Sequence, residues 1–347
     1  LKPFVGQVGK SNSDLKEELG FAAEKQISRT ALLGLEAAKE AWQNQPDNEL
    51  ISAFINGSTV GGMDLSENYF KADDQANKAH LFMMHDLGTI TQFIADNTHP
   101  FDHISTISTA CSSAANAILR GSQMIECSVA DRVLVGGVDS LCEFTIQGFK
   151  SLMIYSESWC KPFDQERDGL NLGEGAAYLV LESEASLEIT QNTILAEVAG
   201  WANANDAFHA TGTSPEGHGA QKAMKEALNK AKLSNSEIDY INAHGTATGN
   251  NDSSELSAMQ AVFNHQIPAF SSTKSFTGHT LAAAGGVESV FSILSLLHNL
   301  LPGNLNCKQA IEGSENLLKE SQRQTVDNVL SNSFGFGGNC TSLIFKR

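Results

Sequence analysis

Strand-like and helix-like segments alternate along the whole of this chain, and that alternation constrains its fold more than any other feature. Residues 22–41 repeat apolar side chains at Ile27, Ala31, Leu35 and Ala38 with charges between them, which predicts an amphipathic helix. Residues 50–59 read as a buried strand running into a turn at Gly61 and Gly62, 81–96 as a helix, and 103–109 as a strand rich in β-branched residues. Cys111 follows at once, then a small-residue helix and another strand over 132–138. The C-terminal part repeats this order, with helices over 216–232, 252–263 and 287–299 and strands over 238–243 and 268–273. Two closing strands, 328–334 and 341–345, flank a glycine turn. The pattern predicts an α/β fold with mostly parallel sheets, and no linker-like composition divides it.

Composition removes several function classes. A chain of 347 residues, 41% hydrophobic and 18% charged, reads as an ordinary soluble globular protein with a large core. A net charge of −17 opposes nucleic-acid binding, because a polyanion would be repelled over most of the surface. The apolar run 287–301 is interrupted by Glu288, Ser292, Ser295, His298 and Asn299, so no membrane span is expected. No signal-peptide pattern opens the chain. The six cysteines show neither CxxC pairs nor metal-ligand spacing, so no metal site or disulfide framework is expected and a reducing cytoplasm is.

In α/β folds reactive side chains gather beyond the carboxyl ends of strands, and Cys111, His244 and His279 all fall there. The three are expected to share one pocket. The first turn of a helix stabilises a thiolate through its unpaired N–H groups and dipole, which would activate Cys111. Alone among Ala110, Ser112 and Ser113, it is also a plausible small core filler. His244 lies in NAHGTATGNND, where Gly245 allows close backbone approach and the Thr246 and Thr248 hydroxyls suit an amide-rich substrate arm. A lone histidine after a strand is more often structural, and only the surrounding run argues otherwise. Lys274 and His279 share the run STKSFTGH, and Glu288 on the next helix is placed to pair with Lys274, since a buried lysine without a counterion is costly. NSFGFGG lacks the Lys and Ser/Thr of a P-loop and opens no helix, so it reads as a turn carrying Phe336 over a pocket.

Six runs, TACSS, KPFDQERDGLNLGEG, NAHGTATGNND, STKSFTGH, AAAGGVES and NSFGFGG, together resemble the elongating type II β-ketoacyl-[acyl-carrier-protein] synthases, in that family's order and over nearly the whole chain. The resemblance implies a thiolase-like layered α-β-α-β-α fold of two similar βαβαβ halves, here 1–190 with the cysteine and 191–347 with the histidines. It implies a decarboxylative Claisen condensation in fatty acid, polyketide or polyene-type chain elongation. Cys111 would accept an acyl group from an acyl carrier protein, and the backbone N–H groups of Cys111 and Phe336 would hold the oxyanion. His244 and His279 would stabilise the enolate of malonyl-carrier, with Lys274 and Glu288 ordering them and Phe336 acting as a gate. Thr246 and Thr248 would contact pantetheine, and Thr59 and Val60, near Met63, would floor the acyl pocket.

The resemblance requires no cofactor beyond the carrier's phosphopantetheine, and implies a homodimer or a heterodimer with a chain-length partner. Lys25, Arg29 and Arg120 are the expected carrier-docking cations. The family's usual opening hydrophobic strand has no counterpart before LKPFVGQV, and Cys340 stands where asparagine is usual. A non-catalytic chain-length subunit is the main rival, but such partners generally lack the cysteine. A thiolase, with a second reactive cysteine superficially like Cys340, a starter-type synthase, with asparagine in place of His279, and a thioester hydrolase fit the two-histidine motifs less well.

Overall fold

The structure, a computed structural model, describes residues 4–43, 45–46, 50–73 and 78–347. Its main strands fall into two sheets. The first holds β1 (Ser52–Gly57), β2 (His103–Ile107), β3 (Arg132–Asp139) and β4 (Gly175–Glu182) in the order β2-β1-β3-β4, with β4 antiparallel to β3 and the others parallel. The second holds β5 (Glu197–Asn205), β6 (Tyr240–Asn242), β7 (Ala269–Ser271), β8 (Asn328–Gly335) and β9 (Asn339–Lys346) in the order β5-β9-β8-β6-β7. There β8, β6 and β7 run parallel, while β9 is antiparallel to both of its neighbours.

Strands β1 and β3 are buried along their whole length because both faces of the sheet are covered there. Alternation then divides the runs between layers. Ala53, Ile55, Val133 and Val135 of the first sheet share a buried cluster with Val329, Leu343 and Phe345 of the second. Their neighbours Phe54, Leu134 and Val138 point the other way, onto helices α1 (Arg29–Trp42) and α2 (Leu87–Asp96). Leu330 and Ile344 likewise face out, towards α4 (His218–Ala231) and α5 (Gly249–Val262). Between the sheets lie α3 (Ser113–Glu126) and α6 (Ala284–His298), contributing Ala115, Ile118, Ile293 and Leu296 to the inner cluster. The five layers are therefore helix, sheet, helix, sheet, helix.

Local chemistry moved several expected boundaries. The first long helix begins at Arg29 rather than residue 22, because the Ser28 hydroxyl accepts the Thr30 N–H as an N-cap and Asp64 accepts from the Ser28 hydroxyl and the Arg29 N–H. The segment expected as one helix over 81–96 is a 3₁₀ turn, Ala79–Phe82, followed by α2, which starts where Asp86 accepts the Gly88 N–H. Strands β4 and β5 were not anticipated. Residues 281–298 form one continuous apolar helical run, longer than the sequence reading allowed and long enough by length and composition to cross a membrane. It is 67% buried, however, packed between the two sheets.

Arg29 is not a docking cation. It is buried, its guanidinium making a bidentate pair with Glu174 at 2.6 and 2.8 Å, and Glu174 also accepts the Val8 and Leu141 N–H groups. This pair ties α1 to the segment just before β4. Lys25 remains at the surface, its ammonium 4.6 Å from the Phe21 ring centre, and Arg120 is exposed.

The two central helices approach at Gly285, where a Cβ would lie 2.7 Å from the Ala115 nitrogen and 2.8 Å from the Ala115 Cβ. Only hydrogen fits there. Gly285→Val is expected to lower the unfolding free energy by about 1–3 kcal/mol, as overpacked cores do, read from the denaturant midpoint at unchanged slope. A variant as stable as the parent would show that the contact is not tight.

Candidate active site

The parallel strands of both sheets end on one side of the molecule, and the reactive residues follow those ends. Beyond β2, the chain turns through Ala110, whose φ of 52° is left-handed and unusual outside glycine, and delivers Cys111 just before α3. Two serines hold this turn. The Ser113 hydroxyl lies 2.9 Å from the Thr109 N–H and 2.6 Å from the Ala110 carbonyl, and the Ser112 hydroxyl lies 2.7 Å from the Thr109 carbonyl. Cys111 is buried, and the Phe336 backbone N–H, arriving from the glycine turn between β8 and β9, comes near enough to its sulfur to favour the thiolate.

His244 follows β6, Lys274 follows β7, and His279 lies between Lys274 and α6; all three are buried. The imidazoles stand edge to face with ring centres 5.4 Å apart. Lys274 Nζ lies 3.2 Å from His244 Nδ1 and forms a close ion pair with Glu288 on α6. An ammonium only donates, so Nδ1 of His244 must accept and its proton resides on Nε2, turned away from the lysine. Ser333 on β8 donates to Glu288 at 3.3 Å. His279 is anchored by its backbone N–H on the Asn171 carbonyl, and its Nδ1 has no hydrogen-bond partner among the described residues.

Burial governs the protonation states. It pushes both imidazoles well below the ordinary histidine value, and the nearby Lys274 charge adds to the effect, so both rings are neutral N–H donors at neutral pH. The expected thiolate at a helix tip is not what the resting site holds. Burial pushes the Cys111 thiol up to about 12, against the lowering influence of Lys274 and the Phe336 N–H, while the Asp139 and Glu288 charges push it up further. Desolvation outweighs the helix start.

Thr246 is buried with its hydroxyl 2.9 Å from that of half-buried Thr248, which also caps α5 by accepting the Asn251 N–H. Thr59 and Val60 are held from below by Asp139, whose carboxylate accepts their two N–H groups and the Thr59 and Ser58 hydroxyls, and also the Ala282 N–H beyond His279. Val60 packs with Leu170, Leu172 and Leu281, and with Phe149 at the edge of that cluster. Phe149 in turn stacks on Phe336 at 5.7 Å. Of the floor residues named from sequence, Met63 lines an open apolar cavity of about 510 Å³ with Phe70, Phe82 and Phe144, whereas Thr59 and Val60 do not.

Two functional carboxylates escaped the sequence reading. Glu255 on α5 accepts the His244 and Gly245 N–H groups at 2.9 and 2.8 Å, fixing the histidine's backbone, and burial pushes it up to about 7. Asp252, one turn earlier, accepts the Phe163 and Ala247 N–H groups. The signal was present as two acids at i, i+3 entering a helix directly after the HGTAT run. Asp139, closing a strand after two glycines, gave no comparable hint.

A buried cysteine under the charge of Lys274, two neutral imidazoles with ring centres 5.4 Å apart and a lysine–glutamate pair, on a five-layer body, are the parts of a thiolase-like condensing centre. Comparison with known proteins agrees: residues 6–186 match the Beta-ketoacyl synthase N-terminal domain and 195–308 its C-terminal domain, so the chain belongs to the β-ketoacyl synthase family. It is 35% identical to a 3-oxoacyl-[acyl-carrier-protein] synthase 2 of Rhizobium meliloti (strain 1021), over 89% of this chain and 77% of that protein. It is 31% identical to the protein of the same name from Staphylococcus aureus (strain COL), over 97% and 86%. Among solved structures, it resembles a ketosynthase in complex with its chain length factor from Xenorhabdus doucetiae, with a TM-score of 0.83, 33% identity, and 99% and 86% coverage. A type II PKS acyl-carrier protein in complex with its ketosynthase gives a TM-score of 0.87 at 25% identity, with 99% and 87% coverage.

A thiol titrating near 12 has a thiolate fraction that rises about tenfold per pH unit below that point. Carboxamidomethylation of Cys111 is therefore expected to accelerate through pH 7 to 10 without levelling, and a plateau between pH 8 and 9 would contradict the buried, protonated resting thiol. Replacing Glu255 by Gln leaves one buried N–H facing an amide donor and is expected to cost about 1–3 kcal/mol of stability in a denaturant titration.

Proposed function

We propose that this chain extends a carrier-bound acyl group by decarboxylative condensation with malonyl-carrier. The carrying observation is the contact of Lys274 with His244 Nδ1, which leaves an Nε2–H donor beside a second neutral imidazole, while the charge of the same lysine also acts on Cys111. In the first step the Cys111 sulfur attacks the acyl thioester. The carbonyl oxygen becomes an oxyanion held by the Phe336 and Cys111 N–H groups, and the carrier's pantetheine sulfur departs with the thiol proton. In the second step, malonyl-carrier loses carbon dioxide, and its thioester oxygen takes the negative charge under hydrogen bonds from His244 and His279. The enolate carbon attacks acyl-Cys111, the Cys111 sulfur leaves as a thiolate and takes a proton from solvent to restore the resting thiol, and a 3-oxoacyl-carrier results.

Neutral imidazoles suit this task because they can donate to an enolate oxygen without protonating it. Removing one such donor costs about 10²–10³ in rate. Decarboxylation itself generates the carbanion, so the chemistry needs no metal or redox group. Thr246 and Thr248, whose hydroxyls lie 2.9 Å apart, are assigned to the pantetheine arm, and Phe336, stacked on Phe149, to a gate that moves as the sulfur is acylated. All six cysteines are unpaired, which favours a reducing compartment such as the cytoplasm.

Pairing with a second copy is supported by the edge strand β2, which is unpaired on its outer side, and by the exposed Phe70, Phe82, Met83 and Phe144. The likeness to structures holding a chain length factor supports a second reading, a heterodimer in which this chain is either subunit. Cys111 with both histidines favours the catalytic one. Incubation with acyl-carrier and malonyl-carrier is expected to give an acyl adduct on Cys111 by mass spectrometry and release of carbon dioxide. Cys111→Gln is expected to abolish condensation while still releasing carbon dioxide; condensation surviving in that variant would end this reading.

A further inference from the structure

The glycine turn that supplies the Phe336 N–H lies directly on the nucleophile turn. A Cβ on Gly335 would meet the Thr109 carbonyl at 2.8 Å and the Cys111 nitrogen at 3.1 Å. Van der Waals contact alone sets how close these turns come, but not how they are registered along each other. A cluster of polar side chains does that. Asn339, the first residue after the turn, presents Oδ1 to the Ser112 hydroxyl at 2.7 Å, Asn116 Nδ2 at 2.9 Å and Asn203 Nδ2 at 2.7 Å. Asn116 Nδ2 also reaches the Thr109 hydroxyl at 2.8 Å, and Asn116 Oδ1 accepts from Asn203 at 3.0 Å and from Thr341 at 2.8 Å. The cluster thus links the turn before Cys111, helix α3, β5 and β9.

We propose that Asn339, through Asn116 and Asn203, is a positioning residue that holds the Phe336 N–H at the place where the oxyanion of acyl transfer develops. This rests on the condensation reading above. The geometry has two consequences that a mere packing contact would lack. First, the cluster touches the oxyanion side of the site and not the imidazole side, which is ordered separately by Lys274, Glu288 and Glu255. Loss of Asn339 therefore acts on acyl transfer to Cys111 and spares malonyl decarboxylation. Second, among the described residues the polar contacts of the Asn339 side chain, from the Ser112 hydroxyl and the Asn116 and Asn203 amide groups, all reach Oδ1. An aspartate keeps all of those acceptor contacts, whereas an alanine keeps none.

The test measures the two half-reactions separately on purified wild type, Asn339→Ala and Asn339→Asp. Acyl transfer is followed by mass spectrometry of the Cys111 adduct formed from a short acyl-carrier thioester, and decarboxylation by carbon dioxide release from malonyl-carrier. Thermal unfolding reports on folding. For Asn339→Ala the expected result is a fall in the acyl-transfer rate constant of about tenfold to a hundredfold, with the KM for acyl-carrier and the decarboxylation rate changed by less than about threefold. Asn339→Asp is expected to recover acyl transfer to within about fivefold of wild type. Equal losses in both half-reactions, a loss confined to KM, or a folded Asn339→Asp no better than Asn339→Ala would overturn the proposal. Wild type that forms no adduct on Cys111 would instead overturn the condensation reading on which it rests.

Discussion

The site is organised around one buried pair of opposite charges. Removing an ammonium and a carboxylate from water costs several kcal/mol each, so Lys274 and Glu288 stay inside only if each satisfies the other and their remaining hydrogen bonds are made. They come from different elements, the segment after β7 and helix α6, and their meeting fixes both. His244 accepts from a second of the lysine's three N–H groups, the Ser333 hydroxyl donates to the glutamate's carboxylate, and the backbone carbonyl of Glu288 accepts from Asn242. Sheet, loop and central helix are thus registered through a few buried side chains.

Burial also decides how the chemistry is carried. It keeps both imidazoles and the thiol uncharged, and the charges of Lys274, Asp139 and Glu288 act on the sulfur. On the proposed reading, substrate brings charge into this cavity, and the groups that meet it are dipoles: two N–H bonds of rings and the backbone N–H groups of Phe336 and Cys111.

Much of this was legible in the chain. The alternation of strand and helix indicated the layered fold, because strands covered on both faces must be apolar throughout, as at Val133–Val135 and Val329–Leu330. The positions of Cys111, His244 and His279 after strands predicted their convergence, and the Lys274–Glu288 pair followed from the cost of an unpaired buried lysine. What escaped depended on tertiary contacts. Strands β4 and β5 lie at the edges of their sheets, and the half-exposed Leu179–Val180 and the polar Asn203 and Asn205 dilute the signal there. Arg29 read as a surface cation because nothing in the sequence links it to Glu174. The thiol's state was misjudged because a helix start is visible in sequence, whereas depth of burial is not.

Gly285 sets the separation of the two central helices, and with it the gap between the half that carries the sulfur and the half that carries the rings. At that point the glycine faces the Ala115 nitrogen and Cβ, neither of which has a side-chain torsion to take up slack. Most interior spacings in proteins are averages over rotamers that soften with heat, whereas this one is a hard-sphere limit, like a machinist's gauge block. The reacting distance across the molecule is consequently insulated from the ordinary loosening of side chains, and sequence drift in the surrounding layers can proceed without altering it.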